Sequence, residues 1–283
     1  MTIRKVFKMS EFLSLMFLPF LSCLILVGIH AYLGLHVIER GVIFVDLALA
    51  QIAALGATVG FALGFGLHSN MSYVTALGFS FLGAVIFSLT RFQRPRVPHE
   101  AIIGIVYAVS ASGLILVLSR APEGGEELKS LLVGHLLFIA WPEVIKIAVI
   151  YSALGLLHWW ARKPLLLISQ NPEKAAAQGY RVQLWDLLFY ATFGFVVTSS
   201  VEMAGVLLVF TFLVVPSVCA ALIFDSIGKR LAFGWIFGLI ASVIGLGASY
   251  VFDLPTGAAI VCVFGLALLF CAPIGIWLNS KIS

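Results

Sequence analysis

An all-α polytopic membrane bundle, with about nine transmembrane helices, is the fold class this sequence predicts. Three observations predict it. Of 283 residues, 61% are hydrophobic and only 11% charged, with a mean hydropathy of +1.11, whereas water-soluble domains are about 45–50% apolar. Charge is confined to short gaps between apolar runs, and those runs reach the roughly 20 residues a helix needs to cross the hydrocarbon core. The runs are also unbroken, without the alternation of barrel strands. A bilayer interior offers no water to backbone groups, so helices are the spanning structure left.

The first run, 12–33, follows Arg4, Lys5 and Lys8. No small-residue cleavage site closes it and further runs follow at once, so it reads as a retained span rather than a secretory leader. The second, 42–67, carries Asp46 and Gln51 and then Gly56, Gly60 and Gly64. The third, 73–91, leads into Arg91, Arg94 and Arg96, and the fourth is 101–118. After an acidic gap with Glu123, Glu126 and Glu127, residues 131–140 are apolar but too few to cross; they are expected to be re-entrant or interfacial. The fifth span, 144–160, precedes a long basic gap, 162–181. Within it, PLLLISQNPEKAAAQGYRV places Asn171 or Ser169 to cap a short helix starting near Pro172, with Glu173 in its first turn and Gly179 ending it. The remaining spans are 184–198, 203–224, 231–250 and 258–277. Residues 1–283 thus read as one membrane domain without a soluble module.

Basic loops face the cytoplasm, which places 91–96 and 162–181 inside. Alternation then puts the acidic 120–129 loop, Ser69 and Asp253 outside. It also puts the N-terminus outside, against its three basic residues. Either the charge rule fails there or the first run does not cross as drawn. The net charge of +4 is accounted for by such flanking residues, and no nucleic-acid partner is expected.

Carboxylates inside a membrane cost at least ~2.5 kcal/mol at the centre, so each needs a partner, water or a task. Asp46 and Gln51 are candidates for a transport path or for a hydrogen bond between helices. Glu202 lies at a short turn and reads as solvated. Asp186 reads as interfacial, within reach of Arg181, and Glu39 with Arg40 reads as a surface pair. The six histidines form no helical H-x-x-x-H pair, so local sequence shows no metal site. The four cysteines lie in spans without C-x-x-C spacing and read as packing or lipid-facing groups. Gly56, Gly60 and Gly64, like Gly234 and Gly238, recur every fourth residue and offer small surfaces to a neighbouring helix, in this chain or a second copy. No phosphate-binding loop occurs, so ATP-driven work requires another polypeptide.

Four blocks resemble the membrane permease subunits of ATP-binding-cassette importers for zinc, manganese and iron: FVDLALAQIAALG from Phe44, EAIIGIVYAVSASG from Glu100, GVLLVFTFLVVPSVCAAL from Gly205 and SYVFDLPTGAAIVCVFG from Ser249. The last two are the most specific, through Pro216 and through Ser249, Tyr250, Asp253, Pro255 and Gly257. The resemblance implies a type II importer permease fold in the bacterial cytoplasmic membrane. It implies no catalytic residue and no cofactor here, with ATP and magnesium bound by separate cytoplasmic ATPase subunits. It also implies an extracytoplasmic metal-binding protein and a second permease copy, expected as a homodimer. The implied cargo is a divalent metal, zinc first, with manganese or iron as alternatives. Asp46 and Gln51 would line the translocation path, with Asp46 as the metal contact; Glu202 and Asp253 would sit near its outer mouth; Gly56, Gly60 and Gly64 would pack around it. Pro172, Glu173, Ala176 and Gly179 would form the coupling segment, about 164–182, that meets the ATPase.

One departure bears on the cargo. The family's second span reads Gly-Asp-x-x-Ser-His, and aligning on Leu49 and Gly56 puts Leu47 at the Asp and Gln51 at the His. Asp46 and Gln51 are five residues apart, about 140° around a helix, and an amide is a poorer transition-metal ligand than imidazole. Two other classes stay open from the residues. A gradient-driven secondary transporter would use the carboxylates as ion sites and need no ATPase; an intramembrane enzyme would need a clustered catalytic set that is not apparent.

Overall fold

The computed structural model describes residues 2–66, 69–91, 97–119 and 131–280, with side chains described from residue 12 to 275 within those stretches. Among them are eleven α-helices, one 3₁₀ turn and no strand: α1 (Thr2–Arg40), α2 (Val45–Ala62), α3 (Asn70–Thr90), α4 (His99–Leu118), the turn Leu136–Phe138, α5 (Trp141–Trp160), α6 (Arg162–Gln170), α7 (Pro172–Ala177), α8 (Val182–Ala204), α9 (Val206–Ile223), α10 (Ile227–Phe252) and α11 (Thr256–Ser280). Nine of the described helices, all but α6 and α7, are long and apolar enough to cross a membrane. The acidic loop and the basic residues Arg94 and Arg96 fall outside the described residues, as does His68.

Four helix ends share one mechanism. Gly41, Gly64, Gly179 and Asp253 have positive φ of 65°, 95°, 86° and 53°. In each case the following N–H reaches five residues back: Val42 to the Val37 carbonyl, Phe65 to Gly60, Tyr180 to Ala175 and Leu254 to Ser249, at 3.0 to 3.2 Å. This closes the orphan carbonyls of the last turn. Asp253 is the non-glycine among them, in a conformation that Asp tolerates. Ser69, Asn171 and Ser226 cap the starts of α3, α7 and α10 by accepting from the N–H three residues on. α8 and α9 are separated by Gly205 alone, at φ 78°.

Gly64 corrects an expectation. It stops α2 rather than packing it: the helix ends at Ala62 and not near 67, and a Cβ on Gly64 would meet nothing within 4 Å. Gly56 and Gly60 face α3, where a Cβ would lie 2.7 Å from Phe79 Cβ and 2.5 Å from Thr75 Oγ1, respectively. The partner of this small face is therefore a helix of the same chain.

The chain divides into two compact units. One comprises Met1–Leu35, Val133–Tyr151 and Met203–Ser283. In it α9, α10 and α11 pack together around Phe212, Phe237 and Phe264, with ring centroids 5.5 and 5.8 Å apart. All of α1 but its last turn joins them closely: Gly34 leaves no room for a Cβ against the Leu213 carbonyl, Gly238 abuts Val27, and Trp235 Nε1 donates to the Gly28 carbonyl at 3.0 Å. Pro216 lies inside α9 and does not end it. The expected non-crossing segment is held here through its backbone, His135 N–H donating to the Met203 carbonyl at 3.1 Å. Cys23 and Cys219 are buried in this unit and Cys262 is exposed.

The other unit comprises His36–Leu132 and Ser152–Glu202. Its centre is α2, packed on α3 and α4; Gly83 of α3 receives Ile52 and Leu49, and Gly113 of α4 receives Leu55. α8 approaches α3 at Gly194, where a Cβ would overlap the Ser80 hydroxyl. The last turn of α1 belongs to this unit, and α1 runs unbroken into it from Thr2. Within α1, Phe12–Arg40 is long and apolar enough to cross a membrane.

Candidate functional site

The unit around α2 holds most of the expected site residues. Asp46 is in the first turn of α2, where a carboxylate suits the helix dipole. Its side chain is 1% exposed and its Oδ1 has no hydrogen-bond partner among the described residues. Gln51, on the same helix, is 9% exposed. Both are buried, on different faces of a regular helix. Among the described residues no group of three or more His, Cys, Asp or Glu side chains is placed to hold a metal ion. Glu202 is exposed in the last turn of α8, and Asp253 is exposed at the left-handed stop of α10.

Sequence reasoning missed a hydrogen-bonded cluster at the basic-loop end of the spans. Asp186, read as interfacial and paired with Arg181, is instead 1% exposed and accepts at Oδ1 from Arg40 Nη1 at 2.5 Å and Arg91 Nη1 at 2.7 Å. Arg40, read as a surface partner of Glu39, has a fully buried side chain stacked 4.1 Å over Phe189. It also donates from Nε to Ser169 Oγ at 2.9 Å, and Arg91 Nη2 donates to the Ile168 carbonyl at 3.3 Å. The signal was present: Arg40, Arg91 and Asp186 end or begin spans that alternation places at one membrane face. Adding their membrane depth to their sequence neighbours would have paired them. A second missed contact caps α2 from outside itself, the Phe44 N–H donating to Glu100 Oε1 at 2.9 Å.

The coupling segment is built around Asn171. Its N–H bonds the Leu167 carbonyl at 2.8 Å to close α6, and its Oδ1 accepts from Lys174 N–H at 2.8 Å to start α7. Pro172 takes the first helical position, where no N–H is needed. Ser169, the other capping candidate, points its hydroxyl into the buried cluster. Ala175 is buried and seats α7, while Glu173, Lys174, Ala177 and Gly179 are exposed and Pro172 and Ala176 half-buried. Beside it opens a cleft of about 490 Å³ lined by Leu89, Ala176, Tyr180, Arg181, Val182, Gln183 and Leu184. A short, capped helix with an adjoining cleft can seat a partner's surface.

Comparison with known proteins agrees with this architecture. The chain is 26% identical over 265 residues to the manganese transport system membrane protein MntC of Listeria monocytogenes, covering 89% of each. It is 25% identical over 242 residues to the chelated iron transport system membrane protein YfeC of Yersinia pestis, covering 86% of this chain and 80% of that one. Its fold is that of a chain in the structure of PsaBC from Streptococcus pneumoniae in complex with Fab, with a TM-score of 0.79 over 96% of this chain and 99% of the other at 22% identity. The protein is thus a multi-pass protein of the bacterial cytoplasmic membrane. Residues 13–274 match the model of the ABC 3 transport family, and the chain belongs to that family.

Proposed function

We propose that this chain is the permease subunit of an ATP-driven importer of divalent metal ions, with manganese or iron as cargo. One observation carries the reading: a capped helix, Pro172–Ala177, stands exposed beside a cleft in the one long basic loop of a chain that has no phosphate-binding loop of its own. Such a chain needs its energy from outside, and α7 is where it would be received. Two cytoplasmic ATPase subunits, binding ATP and magnesium, would close on α7 and rock the spans between inward and outward access. An extracytoplasmic metal-binding protein and a second permease copy, identical in the simplest case, would complete the complex.

The cargo follows from donor chemistry and from the relatives, which are named for manganese and iron rather than the zinc first expected. Asp46 and Gln51 offer carboxylate and amide oxygens, ligands suited to hard ions such as Mn²⁺ better than to zinc, which accepts imidazole and thiolate readily. The orphan Oδ1 of Asp46 supports a role in meeting a cation, since a buried unpaired carboxylate oxygen requires an occupant, water or movement. Both residues are enclosed in the single chain, so that role requires α2 to open toward the path during transport. Glu202 and Asp253 would attract cations toward the outer mouth. The test is purification in mild detergent from its native host: an ATPase subunit accompanies this chain if the reading is right, and a chain that transports alone contradicts it.

A further inference from the structure

We infer that Arg40 and Arg91 form a clamp that ties the two flanks of the docking helix to the base of α2, and that Arg91 is the member that lets go during transport. The inference rests on the importer reading above and adds to it which residues carry the motion inward.

The geometry closes a loop. Chain entering α7 is held at Ile168 and Ser169, and chain leaving it is held at Asp186; all three are bound by the same two arginines. Asn171 fuses α6 to α7 by capping both, so a push on α7 reaches Ser169 without slack. Ser169 is saturated. Its hydroxyl donates to the Leu165 carbonyl and accepts from Arg40 Nε and from His36 Nδ1, at 2.8, 2.9 and 2.8 Å. Arg40 ends α1, and only residues 41–44 separate it from α2, whose first turn carries Asp46. Three of them, Gly41, Val42 and Phe44, are pinned by bonds to Ile38, Val37 and the Glu100 carboxylate. Displacement of α7 is therefore delivered to the first turn of α2.

Charge decides which bond is exchangeable. Two guanidinium groups share one carboxylate oxygen, leaving a surplus positive charge in a buried place, an arrangement that desolvation makes poor at stabilising a fold. Arg40 is completely enclosed, stacked on Phe189 and tied to Ser169; Arg91 is 13% exposed and holds α6 by one 3.3 Å bond to a backbone carbonyl. Withdrawing Arg91 leaves the neutral pair Arg40–Asp186 intact. Withdrawing Arg40 would empty the centre of the cluster. The two arginines are positioning residues, acting through α2 and not on the cargo.

The experiment uses the intact complex with its ATPase in vesicles, with Mn²⁺ as the probe, and reads ions taken up per ATP hydrolysed. Arg91→Gln should keep ATPase co-purification and basal hydrolysis while lowering that ratio by about tenfold, within the range by which network mutations alter coupling. Arg91→Lys should recover part of the loss, and Ser169→Ala, which leaves both ion pairs, should lower the ratio in the same direction by less. A ratio unchanged in Arg91→Gln and Ser169→Ala, or uptake and hydrolysis falling together with the melting temperature, overturns the clamp. If Arg91→Gln does not assemble, Ser169→Ala alone decides by the same ratio. A wild-type complex without ATP-dependent uptake instead overturns the importer reading, and the clamp with it.

Discussion

The Oγ of Ser169 lies 2.8 Å from Nδ1 of His36, joining residues 133 positions apart in a fully buried contact. The hydroxyl proton of Ser169 is already given to the Leu165 carbonyl, so the His36 nitrogen must be the donor. His36 thus donates at a fixed point, and its ring packs 5.5 Å from the Phe189 ring.

His36→Asn keeps a donor near the Nδ1 position, whereas His36→Leu removes it. We expect His36→Leu to cost about 1 kcal/mol, one net buried hydrogen bond, and His36→Asn to cost less. Thermal melts of the detergent-purified protein check the order; equal losses would place the effect in ring packing.

Asp186→Ala removes the acceptor that serves two arginines, leaving buried positive charge without a partner. Breaking a buried pair in this way costs about 3–5 kcal/mol, so the variant should be recovered in sharply lower yield and melt well below wild type. An exposed interfacial Asp186 paired only with Arg181 would have predicted a change under about 1 kcal/mol.

Gly56→Leu forces a side chain into Phe79 and the Thr75 carbonyl, each 2.7 Å or little more from where its Cβ would stand. We expect a loss of about 1–3 kcal/mol from overpacking. Gly104→Ala, with open space around its Cβ, should instead be neutral or stabilise α4 by up to roughly 1 kcal/mol through helix propensity. The same pair of melts tests both.

Asp46→Ala should abolish uptake and leave the complex assembled, since the Oδ1 it removes has no hydrogen-bond partner among the described residues. Gln51→His supplies an imidazole and should raise the share of zinc among ions taken up relative to manganese. Competition between Zn²⁺ and Mn²⁺ in vesicles reads the second; unaltered uptake in Asp46→Ala removes that residue from the path.

Most of the helical architecture was legible because a bilayer leaves the chain few choices: run length, the Gly179 stop and the Asn171-Pro172 start are local signals, and each recurs in the structure. The spacing of Gly56, Gly60 and Gly64 was legible only in part. Periodicity cannot distinguish a glycine that packs from one that ends a helix, a distinction that φ at Gly64 makes. The Arg40–Asp186–Arg91 cluster was not legible from neighbours in sequence, because partners 95 and 146 residues apart are brought together by span alternation and not by spacing. Asp46 stood out by chemistry, yet its enclosure depends on how α2 is covered by α3 and α4.

The most direct test is to place this chain in sealed vesicles, with and without its ATPase partner, and to follow Mn²⁺ entry on addition of ATP. A gate moved from outside should admit the ion only when partner and nucleotide are both present. Entry driven by an ion gradient through the chain alone would contradict the account.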